Sequence, residues 1–77
     1  MFFKKEKRKI VGIDNINDNN KEKIERALED LIDISKVKIN IKKNLAYVYY
    51  DNDVDNILIT ATIEKLGFSV TGIKEEN

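Results

Sequence analysis

The 77-residue chain has no cysteine and no histidine. Without cysteine there is no disulfide, no thiolate nucleophile and no soft metal site. Without histidine the commonest general base is missing as well. Proline and tryptophan are also absent. Charge of one sign is not in excess: 14 Lys and Arg balance 14 Asp and Glu. Bulk nucleic-acid binding normally draws on a basic excess, so it is not indicated. No apolar run approaches the roughly 20 residues needed to span a bilayer. Met1-Phe2-Phe3 followed by Lys4-Lys5 has no apolar stretch after the charges, so it does not read as a signal peptide. A cytoplasmic location is expected by default. No nucleophile–base pair is visible, and neither catalysis nor a cofactor is expected of this chain.

What is present fits a small folded domain: 42% hydrophobic and 36% charged residues. A chain this short buries roughly 60–65% of its unfolded surface, enough for one modest core. One domain over residues 1–77 is expected, with its core at about 8–73.

Lys9–Ile13 is a short β-branched run and reads as a strand. Asp14–Asn20 holds four Asn and two Asp and reads as a loop, with Asp18 or Asn19 placed to cap a helix. Ile24, Ala27, Leu28, Leu31 and Ile32 then recur at helical spacing, predicting a helix from Lys21 to about Asp33 with one buried stripe. Val37, Ile39 and Ile41 alternate with Lys38, Asn40 and Lys42, and Leu45–Tyr50 follows a tight turn at Lys43-Asn44. Together they predict a hairpin. One of Asp51, Asn52 and Asp53 is placed to cap a second helix. Its apolar residues Val54, Ile57, Leu58, Ala61, Ile63 and Leu66 fall mostly on one face, and Gly67 ends it. Phe68–Ile73 is the last strand, with Phe68, Val70 and Gly72 on one face, and Glu75-Glu76-Asn77 reads as a tail.

The order strand, helix, strand, strand, helix, strand implies a split βαβ arrangement with the first and last strands adjacent and antiparallel. That pairing would set Lys4, Lys5, Lys7, Arg8 and Lys9 near Glu75 and Glu76. The basic run then reads as paired surface and not as a nucleic-acid patch; each exposed pair is worth about 0–1 kcal/mol.

From about Arg8 to Val70 the sequence resembles the heavy-metal-associated domains of copper chaperones and metal-transporting P-type ATPases. Ile10-Val11-Gly12-Ile13 matches the strand that precedes the family's Cys-x-x-Cys loop, with Ile13 in the place of a Met. Ile24-Glu25-Arg26-Ala27-Leu28 matches the first helix and Val48-Tyr49-Tyr50-Asp51 the third strand. Ile63-Glu64-Lys65-Leu66-Gly67-Phe68-Ser69-Val70 follows the family's Ile-Glu-x-x-Gly-Tyr/Phe-x-Val. The resemblance implies an α+β, ferredoxin-like βαββαβ fold: a four-stranded antiparallel sheet with two helices packed on one face.

It also implies Cu(I) held between two thiolates, and here the chain departs from the pattern. The two cysteines would fall at Asn15 and Asp18 when counted from the strand, or at Asn17 and Asn20 when counted from the helix. Neither register offers sulfur. Amide and carboxylate oxygens are hard donors suited to Mg²⁺ or Ca²⁺, which Asp14 and Asp18 would have to supply. Two carboxylates in an Asn-rich loop are the ordinary composition of turns and caps, so no metal is expected to bind.

A second resemblance is local. Lys43-Asn44-Leu45-Ala46-Tyr47-Val48-Tyr49-Tyr50 resembles the octapeptide of RNA-recognition motifs, implying base stacking on exposed tyrosines. Gly12 and Leu45 stand where that pattern has aromatics. Strand parity sends Ala46, Val48 and Tyr50 one way and Leu45, Tyr47 and Tyr49 the other. The small Ala46 and Val48 suit the helix-packed face, which leaves Leu45, Tyr47 and Tyr49 on the open face. That aromatic-aliphatic patch suits a protein partner or self-association. The expected function is thus a non-catalytic interaction or regulatory module that has lost its metal site. The alternatives are a non-thiol metal loop, and single-stranded RNA binding through Tyr47 and Tyr49.

Overall fold

The computed structural model describes residues 7–76. Its elements are β1 (Lys7–Ile13), α1 (Lys21–Glu29), β2 (Ile34–Asn40), β3 (Leu45–Tyr50), α2 (Asn56–Lys65) and β4 (Val70–Glu76). The sheet order is β2-β3-β1-β4, antiparallel throughout. This is the ferredoxin-like βαββαβ fold, and both helices pack on one face of the sheet.

Alternation along each strand decides what is buried, because successive side chains point to opposite faces. On the helix side, Val11 and Ile13 of β1, Val37 of β2, and Ala46, Val48 and Tyr50 of β3 join Ile24 and Leu28 of α1 and Ile59 and Ile63 of α2. Each fully buried Leu or Ile there contributes about 1.5–3 kcal/mol of transfer free energy.

Several boundaries differ from expectation. Helix α1 stops at Glu29, four residues short of Asp33. The Leu31 N–H donates to the Leu28 carbonyl and the Ile34 N–H to the Leu31 carbonyl, while Asp33 adopts φ +75°. This tight turn starts β2 at Ile34, which pairs with Tyr50, and leaves Ile32 83% exposed instead of buried. The cap of α1 is neither Asp18 nor Asn19. Asn20 holds that position without a side-chain cap, and the upstream Asn17 Oδ1 accepts from the Asn19 and Asn20 N–H groups.

Helix α2 is capped by Asp55, whose Oδ1 accepts from the Ile57 N–H at 2.8 Å, and not by Asp51, Asn52 or Asp53. Val54 is buried ahead of the helix. With this start the inward positions are Ile59 and Ile63, and Ile57 and Leu58 face outward. The apolar residues of α2 run round the helix, so sequence periodicity could not choose its buried side.

Strand β4 begins at Val70, not at Phe68, and takes in Glu75 and Glu76 instead of leaving them as a tail. A register shift between Gly12 and Ile13 separates Val70, which packs on the core, from Gly72, which lies opposite Gly12 on the other face. The antiparallel β1–β4 pairing does set Arg8 against Glu76. Lys4 and Lys5 lie outside the described residues. No helix among the described residues is long and apolar enough to cross a membrane.

Candidate functional site

Three places carry the polar chemistry of the fold. The first is the β1–α1 loop. Asn15 adopts φ +65°, a conformation Asn tolerates better than other non-glycine residues. The Asn17 N–H donates to Asn20 Oδ1 at 2.9 Å, and Asn20 Nδ2 donates to the Asn15 carbonyl at 2.9 Å. With the bonds at Asn17 Oδ1, the two amide side chains are occupied by the loop's own backbone. Buried Ile16 anchors the loop, and its N–H donates to Asn44 Oδ1 at 3.1 Å from the β2–β3 turn. Asp14 and Asp18 are exposed. No three Cys, His, Asp or Glu side chains converge on a metal-sized site among the described residues. The donors are hard oxygens, those of Asn17 and Asn20 already engaged in turns, and they do not fit a thiophilic ion.

The second place is an interior strut that sequence reading missed. Lys9 was expected in the exposed charge run but is only 2% exposed. It alternates onto the helix side with Val11, and its ammonium reaches the β3–α2 connection. There Nζ donates to the Val54 carbonyl and to Asn56 Oδ1 (2.7 Å), lies 3.2 Å from Asp53 Oδ1, and sits 5.4 Å from the Tyr50 ring centroid. A buried charge persists only where its donors are matched in this way. Tyr50 beneath it is itself buried. Desolvation, reinforced by Glu75 and Asp53, raises its phenol pKa above the ordinary value.

The third place is the helix-free face of the sheet. Register puts Lys36, Tyr49, Arg8 and Glu76 in one row across the four strands. Lys38, Tyr47, Ile10 and Lys74 form the next row, and Asn40, Leu45, Gly12 and Gly72 the third. Leu45, Tyr47 and Tyr49 thus lie together on the open face, each half-buried. The Arg8 guanidinium stands 4.9 Å from the Tyr47 ring centroid, and its Nη1 donates to Tyr49 Oη at 3.3 Å. Its other side is paired with Glu76. The Tyr49 bond and the Glu76 pair raise the Arg8 pKa above its already high value, so it stays charged. Lys36 Nζ covers the Tyr49 ring at 4.6 Å.

The face therefore carries four cations, Arg8, Lys36, Lys38 and Lys74, and one carboxylate, Glu76, in a chain of no net charge. Composition hides this segregation. Only the pairing of β2 and β4 with the central strands brings those lysines onto the tyrosine face. In the third row the two glycines leave an open depression of about 370 Å³ bordered by Ile10, Leu45, Thr71 and Lys74. A Cβ on Gly12 would lie 2.1 Å from Thr71 Oγ1, so a side chain at position 12 would require the Thr71 hydroxyl to turn away.

The fold is the ferredoxin-like βαββαβ arrangement, and its β1–α1 loop holds no cysteine. The comparisons agree at the level of structure. The yeast copper transporter domain Ccc2a superposes with a TM-score of 0.80 at 24% identity, over 91% of this chain and 99% of that domain. A copper-binding domain from HMA7, a P-type ATPase, gives 0.78 at 25% identity, over 95% and 100%. The CopZ metallochaperone gives 0.77 at 21% identity, over 83% and 98%. No family model matches the chain. No curated protein matches it either.

Proposed function

We propose that this chain is a single, non-catalytic binding module of the heavy-metal-associated shape that works by contact with another protein through the open face of its sheet. The observation that carries this reading is the patch of Leu45, Tyr47 and Tyr49, held at partial exposure by Arg8 and Lys36 on a face no helix covers. Aromatic residues and Arg are the side chains enriched at protein interfaces. The loop that would carry copper has its asparagines engaged in its own turn, which supports a role other than metal transfer. The lack of Cys and His supports a role without catalysis, and a cytoplasmic setting accords with a fold that needs no disulfide.

The test is site-specific photo-crosslinking in cells, with a photoreactive phenylalanine analogue at position 47 or at the exposed helix position 57. A discrete heavier adduct from position 47, absent from position 57, is the expected result. An adduct from position 57 alone would move the contact surface to α2 and overturn the reading.

A further inference from the structure

We infer that the open face takes an extended acidic protein segment, with an apolar side chain seated over the Gly12–Gly72 depression and carboxylates over the two cationic rows. This rests on the interaction reading above and specifies its partner. Charge complementarity is the first argument. Among the described residues, neither Lys38 nor Lys74 has an ion pair, and both are exposed at opposite ends of the row through Tyr47 and Ile10. Glu76 is the only carboxylate in the three rows and is held by Arg8. Two copies meeting face to face would set these cations against each other, so a symmetric self-pairing through this face is disfavoured.

Spacing is the second argument. Positions 8, 10 and 12 of β1 put the rows about 7 Å apart, the same repeat as same-side residues of any extended chain. An apolar residue over the glycine depression therefore places the second and fourth residues after it over the Lys38–Lys74 row and the Lys36–Arg8 row. Leu45 and Ile10 supply the apolar walls of the depression.

The rings argue for peptide over nucleic acid. Lys36 covers the Tyr49 ring and Arg8 stands over Tyr47, which occupies the faces a base would stack on. The Lys36 ammonium, unlike the Glu76-paired Arg8, is left to meet a carboxylate.

The experiment is a proton–nitrogen NMR titration of the whole chain with the peptide acetyl-Ser-Phe-Ser-Glu-Ser-Glu-Ser-amide. Its Gln-for-Glu counterpart and a single-stranded oligothymidylate of equal charge are titrated alongside. Expected are shifts centred on Gly12, Leu45, Tyr47, Tyr49 and Gly72, fading as salt rises. Binding should weaken about tenfold or more for the Gln peptide and for the Lys38→Glu, Lys74→Glu double variant, because the complementary charges are removed or reversed. Both substitutions lie at exposed positions, and an otherwise parental spectrum confirms that the variant folds. Shifts lying elsewhere, equal binding of the Gln peptide, or tighter binding of the oligothymidylate would each overturn the inference. So would concentration-dependent sedimentation abolished by the same double variant, since that assigns the face to a second copy. If the adduct from position 47 persists while the acidic peptide ignores the face, the interaction reading stands and only the acidic partner falls.

Discussion

Replacing Lys9 by Met removes the ammonium but keeps an unbranched stem of similar length, so it isolates the interior strut. Two hydrogen bonds from a charged donor are lost, each worth about 1.5–3 kcal/mol. The Asp53 partner contributes little, because its side chain is 77% exposed and such pairs are worth about 0–1 kcal/mol. The cation over Tyr50 adds about 0.5–2 kcal/mol. Against these stands the cost of holding an ammonium out of water, which is several kcal/mol per ion even after relaxation and which Met does not incur. What Met cannot restore is a donor for the Val54 carbonyl, left unmatched at about 1–3 kcal/mol. The net expectation is a loss of about 2–4 kcal/mol, a large share of the roughly 4–11 kcal/mol available to a chain of this length. Urea denaturation followed by far-ultraviolet circular dichroism reads it directly. With a slope near 1 kcal/mol per molar, the midpoint should fall by about 2–4 M. A Lys9→Met variant as stable as the parent would refute the reasoning, because the desolvation cost would then outweigh every contact the ammonium makes.

Other outcomes follow from the same geometry. Ile59→Ala, at a fully buried site, should lose about 2–5 kcal/mol, whereas Ile57→Ala, at 77% exposure, should stay within about 0.5 kcal/mol in the same denaturation assay. Gly67 holds φ +95° at the end of α2, so Gly67→Ala should cost about 1–2 kcal/mol through backbone strain, although nothing crowds its Cβ position. The raised pKa of Tyr50 means that the unfolded chain loses this proton at lower pH than the fold does. Its contribution is therefore complete below pH of about 10 and is lost as pH rises through the folded value. Tyr50→Phe should flatten that alkaline loss, read from the urea midpoint as pH is raised. Asn17→Ala removes the acceptor for two loop N–H groups and should cost about 1 kcal/mol, read from the thermal midpoint.

Local pattern carried much of the fold. The alternation of Leu45–Tyr50 assigned its two faces correctly, and the stripe of Ile24 and Leu28 placed α1 on the core. Element order implied the β1–β4 pairing, and with it the approach of Arg8 and Glu76. The errors fell where local signals were ambiguous. Ile57, Leu58 and Ile59 are equally apolar, and only docking against the sheet chose Ile59. The helical spacing of Leu28, Leu31 and Ile32 extended α1 on paper, yet the chain turns at Asp33 because β2 must reach Tyr50.

By itself the sequence determined what chemistry is excluded and which strand faces are apolar, because residue types and a two-residue period are local properties. Without a thiolate or an imidazole no Cys- or His-ligated metal site can be built, whatever the fold. Tertiary structure alone decided the rest. Lys9 became an interior strut because β1 runs beneath the β3–α2 connection, which supplies the Val54 carbonyl and Asn56. The cationic open face exists because strand pairing gathers Arg8, Lys36, Lys38 and Lys74 from three strands onto one surface. Charge adds through space and not along the chain, so a sequence of zero net charge can still present a face that is net positive.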